Sequence, residues 1–307
     1  MRKIWMLGIA LSAALLLSGC KTGETTQNNG EEKTMEKETQ QDTKKQGITI
    51  EELSIQNGEN TIYGRMYTPP GEGKHPVIIL SHGYNGTNND FVSECRYFAQ
   101  NGYIAYAYDF CGGSVNSKST GKSTDMTIFT EKSDLLAVFD YIASMENVDT
   151  ENMFLFGGSQ GGMVTSLATE ERAEKVKGMI LYFPALCIPD NWRQTYPKVE
   201  DIPDTNDFWG LTLGKKFFSE IHDFYTFDNI GAYEKDVLIL HGDKDDIVPI
   251  SYSVQAQKKY AHAELITMQG EGHGFSPAGA NKAKEKVLEF LKNHTNDVGV
   301  KRYFAPN

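Results

Sequence analysis

A serine flanked by glycines is the first feature of this sequence that could do chemistry. Ser159 stands in the pattern Gly157-x-Ser159-x-Gly161, directly after an apolar run and directly before a segment with helical spacing. A serine on a sharp turn between a strand and a helix exposes its hydroxyl, and crowding on such a turn admits only small neighbours. The pattern is weak by itself, but in this setting it predicts that Ser159 is a nucleophile.

A serine nucleophile needs a general base, and His273 is the best-placed histidine. It follows a predicted strand over residues 264–268 and stands in a tight turn between Gly272 and Gly274. Such a turn lets an imidazole reach the hydroxyl of Ser159. Four other histidines lack this setting and are interpreted as surface or packing residues: His75, His222, His262 and His294.

The third partner should be a carboxylate that orients the base. The loop over residues 241–249 follows another predicted strand and carries Asp243, Asp245 and Asp246. A buried carboxylate from this loop would hold His273 in the correct tautomer and stabilise the imidazolium. From the residues alone, all three aspartates are candidates.

A second glycine-containing loop follows the predicted strand at residues 77–80 and places His82 and Tyr84 around Gly83. In enzymes of this type an oxyanion hole takes one backbone N–H from the residue after the nucleophile and one from a loop after an earlier strand. This rule nominates the backbone N–H groups of Gln160 and Tyr84. His82 could also act as a general base, but a histidine in such a loop more often has a structural hydrogen-bonding role.

The segments between these residues alternate between strand and helix patterns. Almost wholly apolar runs predict buried parallel strands at residues 77–80, 103–108, 153–156, 178–183, 237–240 and 264–268. Helical spacing recurs at residues 91–100, 132–145, 160–170, 251–260 and 281–293. Before them, β-branched runs at residues 48–55 and 61–68 flank Asn57-Gly58, a strong hairpin signal. The sequence therefore predicts an α/β fold with a mostly parallel, doubly wound sheet and an N-terminal antiparallel hairpin.

The alternation stops between about residue 186 and residue 233, where prolines and aromatic residues accumulate. We predict a lid-like insertion over the active site at this point. Trp192 and Trp209 would then wall a substrate pocket. Packing of the insertion's aromatic rings on one another is the alternative.

The first residues have the pattern of a bacterial export signal with a lipid attachment site. Two basic residues precede an apolar run over residues 4–17, which is short for a membrane span. Small and aliphatic residues then lead into Cys20, as in the bacterial lipobox, whose cysteine accepts a diacylglycerol. We expect residues 1–19 to be a signal peptide and Cys20 to anchor the exported protein in the cell membrane, on its extracytoplasmic face. An ordinary signal peptide with a chance cysteine is the alternative.

Composition separates a tether from the catalytic domain. Residues 20–47 are polar and charged and lack aromatic side chains, so they cannot bury enough apolar surface to offset the entropy of ordering. We expect a disordered tether there and a single domain over residues 48–307. The net charge is −11 and no cluster of Lys and Arg stands out, which makes nucleic acid a poor candidate partner.

Three cysteines remain if the first one is lipidated: Cys95, Cys111 and Cys187. Their spacing matches no zinc site or redox motif. We interpret them as small buried hydrophobic residues, with one disulfide in the exported protein as the alternative.

Taken together, the chain resembles the α/β-hydrolase superfamily across residues 48–293, including the chain order Ser, Asp, His. Within that superfamily, the loop at residues 82–86, the elbow at residues 158–162 and the aromatic insertion are most similar to the cinnamoyl and feruloyl esterase-like group. The loop at residues 109–114 departs from the pattern of that group, since it is shorter than the usual Asp-x-x-Gly-x-Gly-x-Ser run. Specificity within the group is therefore open.

The resemblance also narrows the choice of acid. In the superfamily's G-D-x-D-x-x-V-P motif the second aspartate is the catalytic one, which implies Asp245 in this sequence. Asp243 would then brace the turn, and Asp246 would face solvent.

We therefore predict a serine hydrolase that cleaves carboxylic esters through an acyl-enzyme, with acyl or cinnamoyl-type aryl esters as candidate substrates. A peptidase, lipase or thioesterase with the same triad is one alternative, because fold and triad do not determine the acyl group. A non-catalytic surface-binding lipoprotein is the other. The mechanism requires no metal, nucleotide or flavin, and nothing in the sequence indicates an oligomeric state.

Overall fold

An eight-stranded mixed sheet lies at the centre of the computed structural model, which describes residues 47–296. Cys20, the predicted signal peptide and nearly all of the predicted tether lie outside the described residues. The strands are β1 (Thr49–Asn57), β2 (Asn60–Thr68), β3 (His75–Ser81), β4 (Ile104–Tyr108), β5 (Val148–Gly158), β6 (Gly178–Tyr182), β7 (Thr205–Phe208), β8 (Leu211–Gly214), β9 (Val237–Gly242) and β10 (Ala263–Met268).

The strand order of the large sheet is β1-β2-β4-β3-β5-β6-β9-β10. β1 and β2 form an antiparallel hairpin that turns at Gly58, whose φ of 59° suits glycine. β2 pairs antiparallel with β4, and the remaining neighbours pair in parallel. The predicted fold class, a mostly parallel sheet with an antiparallel opening, is confirmed.

Helices cover both faces of this sheet. They are α1 (Val92–Gln100), α2 (Ile128–Ala143), α3 (Gln160–Glu171), α4 (Ile188–Thr195), α5 (Lys215–Ile221), α6 (Ile250–Lys259) and α7 (Pro277–His294). Apolar residues of α1 and α7 pack in one core cluster, and those of α2, α3 and α6 pack in the other. Alternate strand residues supply each cluster, for example Ile79 to one and Leu80 to the other.

The strand order reverses around β3, because β4 lies on one side of β3 and β5 lies on the other. The loops after β3 and β5 therefore leave the same edge of the sheet on opposite sides of a crevice. Open α/β sheets bind ligands in such a crevice, at the carboxyl ends of the strands. The loop of Tyr84 and the elbow of Ser159 are these two loops.

The segment between β6 and β9 departs from the strand and helix alternation. It contains α4, α5 and a separate antiparallel hairpin made of β7 and β8. The aromatic side chains of this segment pack mainly on one another: Trp192, Tyr196, Phe208, Phe217 and Phe218.

Several elements begin earlier than their apolar pattern predicts. α2 starts at Ile128 because Thr127 accepts a hydrogen bond from the backbone N–H of Thr130 and caps the helix. α7 starts at Pro277 behind Ser276, whose hydroxyl accepts from the backbone N–H of Gly279. Capping depends on these polar residues, so a search for apolar spacing places both helix starts four residues late.

The three cysteines of the described chain are free and buried, which agrees with their interpretation as small apolar residues. Burial raises the pKa of the Cys111 and Cys187 thiols above the ordinary thiol value. Such thiols are poor nucleophiles.

Over residues 47–296, the helices are all too short or too polar to cross a membrane.

Candidate active site

Ser159 has a backbone conformation that a serine adopts only under constraint, with φ 51° and ψ −119°. Its N–H donates to the carbonyl of Tyr182 at 2.9 Å, which ties the turn to the end of β6. Its carbonyl accepts from the N–H groups of Gly162 and Ala185, both at 2.9 Å. These bonds hold the side chain between β5 and α3, where it is partly exposed.

The glycines of the elbow are needed for close packing. A Cβ on Gly161 would lie 2.3 Å from the carbonyl oxygen of His82, and a Cβ on Gly157 would lie 2.2 Å from that of Gly161. Real Cβ atoms do not approach other atoms so closely. The first turn of α3 can therefore lie against the loop after β3 only because these positions carry no side chain, as the motif predicts.

His273 links Ser159 to Asp245 through both nitrogens of its ring. Nε2 is 3.0 Å from the Oγ of Ser159, and Nδ1 is 2.8 Å from the Oδ2 of Asp245. Because a carboxylate can only accept, Nδ1 carries the proton and Nε2 is free to accept the serine proton. The three predicted residues thus form one continuous hydrogen-bonded chain.

The three aspartates of the loop after β9 have different surroundings. The Asp245 side chain is fully buried, and its Oδ1 accepts from the backbone N–H groups of Ile247 and Val248 at 2.9 and 2.8 Å. Asp243 accepts from the N–H of Gly270 at 2.6 Å and so braces the loop that carries the base. Asp246 is exposed. Asp245 is the aspartate that contacts His273.

The loop after β3 brings Tyr84 close to the nucleophile. A Cβ on the preceding Gly83 would lie 3.2 Å from the Cβ of Ser159, so the two backbones are nearly in contact. Among the described residues, neither the backbone N–H of Tyr84 nor that of Gln160 has a protein acceptor. Two unused donors beside a nucleophile are what stabilisation of an oxyanion requires.

Residues 89–298 of the chain, more than half of its length, match the prolyl oligopeptidase family. The chain belongs to this family. Its fold is that of the α/β-hydrolases, as the resemblance implied.

Solved structures and other protein sequences are also similar to this chain. The structure of Est1E from Butyrivibrio proteoclasticus with ferulic acid bound has 28% sequence identity and a TM-score of 0.72, and the match covers 79% of this chain and 98% of Est1E. Caffeoylshikimate esterase of Arabidopsis thaliana is 25% identical over 150 residues, 48% of this chain and 45% of that protein. The resemblance to feruloyl esterase-like proteins is thereby confirmed.

An uncharacterized 31.7 kDa protein of Escherichia coli, from the traX-finO intergenic region, is 25% identical over 117 residues. That match covers 37% of this chain and 40% of the relative, so the chain spans less than half of that relative's length.

In this member of the prolyl oligopeptidase family a second histidine, His241, lies beside Asp245, and it is not among the residues that the sequence predicts for the site. His241 Nε2 lies 3.2 Å from the Oδ2 of Asp245 and 2.9 Å from the carbonyl oxygen of Val248, and its Nδ1 lies 2.7 Å from the Oγ of Ser253. Burial lowers the pKa of His241, which favours the neutral ring. With two acceptors near Nε2, that nitrogen carries the proton and donates to the carbonyl oxygen of Val248. A polar residue at the end of an apolar strand was the available sequence signal.

Phe183 is another contact of the base that sequence reasoning missed. It follows β6 directly, has a φ of 35°, and its ring centroid is 4.6 Å from that of His273. The Phe275 ring packs on Phe183 at 4.9 Å. Phe183 therefore restricts the imidazole from one side while Asp245 holds it from the other.

His82 has the structural hydrogen-bonding role that its position in the loop predicts. It is buried, its Nδ1 donates to the carbonyl of Gly83 at 2.6 Å, and its Nε2 accepts from the N–H of Phe110 at 3.1 Å. Both ring nitrogens are used within the protein. His82 thus connects the loop after β3 to the loop after β4.

The insertion contacts the loop of Tyr84. The Tyr84 hydroxyl donates to the carbonyl of Phe208 at 2.7 Å, and the two rings lie 5.3 Å apart. Trp192 contacts aromatic rings of its own segment, as the packing alternative expects, and Trp209 is 61% exposed at the tip of the β7–β8 hairpin. A role of either tryptophan in substrate binding stays a prediction.

A buried carboxyl lies under the proposed oxyanion hole. Both oxygens of Glu131 accept from the side-chain Nε2 of Gln160, at 2.9 and 2.8 Å, and Glu131 is 1% exposed. Burial raises the pKa of Glu131 to about 8; the hydrogen bonds from Gln160 oppose the shift and nearby Asp134 adds to it. The contact anchors Gln160 at the start of α3.

Within residues 47–296, no cluster of three His, Cys, Asp or Glu side chains could hold a metal ion.

We expect Glu131→Gln to flatten the dependence of stability on pH. A carboxyl with a raised pKa in the folded state contributes stability that is fully present below its unfolded value of 4.5 and is lost as pH rises through about 8. For a buried carboxyl this loss is on the order of a few kcal/mol, and an amide at position 131 cannot contribute to it.

The measurement is the free energy of unfolding from urea titrations at several pH values from about 5 to about 9. Glu146→Gln, at an exposed glutamate, is the matched control and should follow the wild type. Parallel curves for wild type and Glu131→Gln would show that Glu131 titrates normally.

Proposed function

We propose that this chain is a serine esterase that hydrolyses carboxylic esters through an acyl-enzyme. The observation that carries the proposal is the unbroken hydrogen-bonded chain from the partly exposed Ser159 through His273 to the buried Asp245. The ferulic acid bound by Est1E and the name of caffeoylshikimate esterase support an ester with an aromatic acyl group as the substrate.

In the first half of the reaction, Ser159 Oγ attacks the ester carbonyl carbon while His273 Nε2 takes its proton. Asp245 stabilises the resulting imidazolium through Nδ1. The carbonyl oxygen becomes an oxyanion that accepts from the backbone N–H groups of Tyr84 and Gln160. The N-terminus of α3, which begins at Gln160, is the positive end of the helix dipole and stabilises the same negative charge.

The tetrahedral intermediate then collapses. The bond between the carbonyl carbon and the alcohol oxygen breaks, and His273 Nε2 gives its proton to the leaving oxygen. A water molecule, deprotonated by His273, attacks the acyl-Ser159 in the second half, and the acid leaves as Ser159 recovers its proton.

The aromatic insertion would supply the wall of the acyl pocket. Its support is the contact between Phe208 and Tyr84, which places insertion aromatics next to a proposed oxyanion residue. Trp192 and Trp209 are the candidate wall residues on this segment.

A peptidase is the second candidate function, because the matching family is named for a peptidase. The same triad can attack an amide, and His273 would then protonate a leaving amine. A panel of p-nitrophenyl esters, feruloyl esters and aminoacyl amides separates the two functions. A binding protein without catalysis would react with none of the panel and would not be labelled by a fluorophosphonate.

We also propose that Cys20 carries a lipid and holds the domain on the extracytoplasmic face of the membrane. The support is the sequence pattern before this cysteine. In the exported protein the predicted tether would let the catalytic domain reach substrates outside the cell.

Replacing the nucleophile, as in Ser159→Ala, should lower kcat by ~10³ or more, because the acyl-enzyme can no longer form. Alanine fits the elbow and leaves no buried charge, so thermal unfolding should change little. Labelling by a fluorophosphonate probe should also disappear. Ester turnover close to that of wild type in the folded variant would refute the proposed nucleophile.

The Asp245→Asn variant should identify the acid of the triad. Its amide can donate to Nδ1 of His273 and so favours the imidazole tautomer that cannot accept the serine proton. We expect kcat to fall by ~10³ to 10⁴, with a smaller effect on KM. Asp243→Asn is the matched control in the same loop and should lose much less activity per folded molecule. A larger loss in Asp243→Asn than in Asp245→Asn would reverse the assignment.

Membrane attachment should depend on Cys20. Cys20→Ser removes the thiol that accepts the lipid, so the protein should leave the membrane fraction or keep its uncleaved signal peptide. The readout is membrane and soluble fractions of expressing cells, probed by immunoblot. Cys95→Ser, at a buried cysteine of the domain, is the control. Wild-type protein found only in the soluble fraction would contradict lipidation.

A further inference from the structure

Asn85, which follows the proposed oxyanion residue Tyr84, links three segments of the chain beside the active site. Residues 83–86 form a turn that is closed by the N–H of Gly86, which donates to the carbonyl of Gly83 at 3.2 Å. Asn85 is the third residue of this turn and has a φ of 53°, which asparagine adopts more readily than most residues other than glycine. The conformation of this turn determines the direction of the Tyr84 backbone N–H.

The amide nitrogen of Asn85 is bound to the insertion. Its Nδ2 donates to the carbonyl of Trp209 at 3.2 Å, at the tip of the β7–β8 hairpin. The two residues of the tip, Trp209 and Gly210, have positive φ angles of 43° and 81°, which tight hairpin turns require. Phe208 and Leu211 pair across the tip, so a closed hairpin holds the accepting carbonyl in place.

The oxygen atoms of Asn85 are bound to the loop after β4. Its side-chain Oδ1 accepts from the N–H of Val115, and its carbonyl accepts from the Oγ of Ser114, both at 3.0 Å. This loop begins with residues 109–114, the segment that departs from the pattern of the feruloyl esterase-like group. The shorter loop therefore reaches the oxyanion loop through Asn85.

Tyr84 makes a second contact with the hairpin. Its hydroxyl donates to the carbonyl of Phe208 at 2.7 Å. Two successive carbonyls of the hairpin, those of Phe208 and Trp209, thus accept from two successive side chains of the turn. A displacement of the hairpin would displace the turn as well.

We propose that Asn85 is a positioning residue of the oxyanion hole, which acts by tying the turn of Tyr84 to the β7–β8 hairpin and to the loop after β4. This inference rests on the proposed esterase function. The turn lies against the nucleophile, since a Cβ on Gly83 would be 3.2 Å from the Cβ of Ser159. An oxyanion donor contributes most when it is aimed, before the reaction, at the point where negative charge develops. The insertion thereby takes part in stabilising the oxyanion, in addition to its proposed contact with the acyl group.

The test is Asn85→Gly, measured with a small ester and with an analogue of the tetrahedral intermediate. Glycine allows the positive φ of the turn and removes the side-chain bonds to Trp209 and Val115. Turnover of p-nitrophenyl acetate, whose acyl group is small, gives kcat and KM. A phenylalkyl trifluoromethyl ketone reports on the oxyanion: Ser159 Oγ bonds to the ketone carbon, His273 takes the serine proton, and the carbonyl electron pair moves onto the oxygen.

We expect kcat per active site of Asn85→Gly to fall about tenfold and the inhibition constant of the ketone to rise by the same factor, with KM nearly unchanged. Titration to completion with a fluorophosphonate counts the reactive molecules, so unfolded protein does not enter kcat. Tyr84→Phe removes the hydrogen bond to Phe208 and keeps the ring. It should shift kcat and the inhibition constant in the same directions by several-fold.

Thr212→Ala is the matched control on the same hairpin. The Thr212 side chain is exposed, and its hydroxyl donates to Asp207 rather than to the turn of Tyr84. This variant should keep the kcat and the inhibition constant of the wild type.

Three results would overturn the proposal while leaving the esterase function intact: wild-type kcat and inhibition constant in Asn85→Gly, a loss confined to KM or to the number of titrated sites, or an equal loss of kcat in Thr212→Ala. If Asn85→Gly does not fold, the same criteria apply to Tyr84→Phe. Wild-type protein that neither hydrolyses the ester nor binds the ketone would overturn the esterase function itself, and the role of Asn85 with it.

Discussion

The strained backbone of Ser159 is the constraint on which the rest of the site depends. Its positive φ is held by hydrogen bonds to Tyr182, Gly162 and Ala185, which come from β6, α3 and the start of the insertion. Strain of this kind persists only when the surrounding structure determines it. The glycines of the elbow, the reversal of strand order at β3 and the closeness of the oxyanion loop all serve to keep this one residue in place.

Buried polar groups around the triad hold the reacting side chains in their orientation. Two backbone N–H groups hold the carboxylate of Asp245 in place, while the Glu131 carboxyl anchors Gln160 on the other side of the nucleophile. In a low-dielectric interior, networks that are fully paired are rigid and those that are partly paired are costly. Orientation of the reacting groups therefore depends on residues that need never touch the substrate.

The surroundings of Ser159 differ on its two sides. Toward the insertion, Tyr84 packs on Phe208 of the β7–β8 hairpin. On the side of the base, the rings of Phe183 and Phe275 pack on each other beside His273. The Phe183 ring thus restricts the imidazole whose Nε2 lies 3.0 Å from the Ser159 hydroxyl.

The sequence alone determined the features that have local causes. The spacing of apolar residues predicted the strands and the parallel sheet, and the glycines around Ser159 predicted the elbow, because crowding at a turn acts on adjacent residues. Tertiary structure decided the rest. The contacts of Glu131 with Gln160 and of Ser159 with His273 join positions far apart in the chain. No local pattern encodes such contacts, because they arise only when helices pack on the sheet and exclude water from polar groups whose partners are remote.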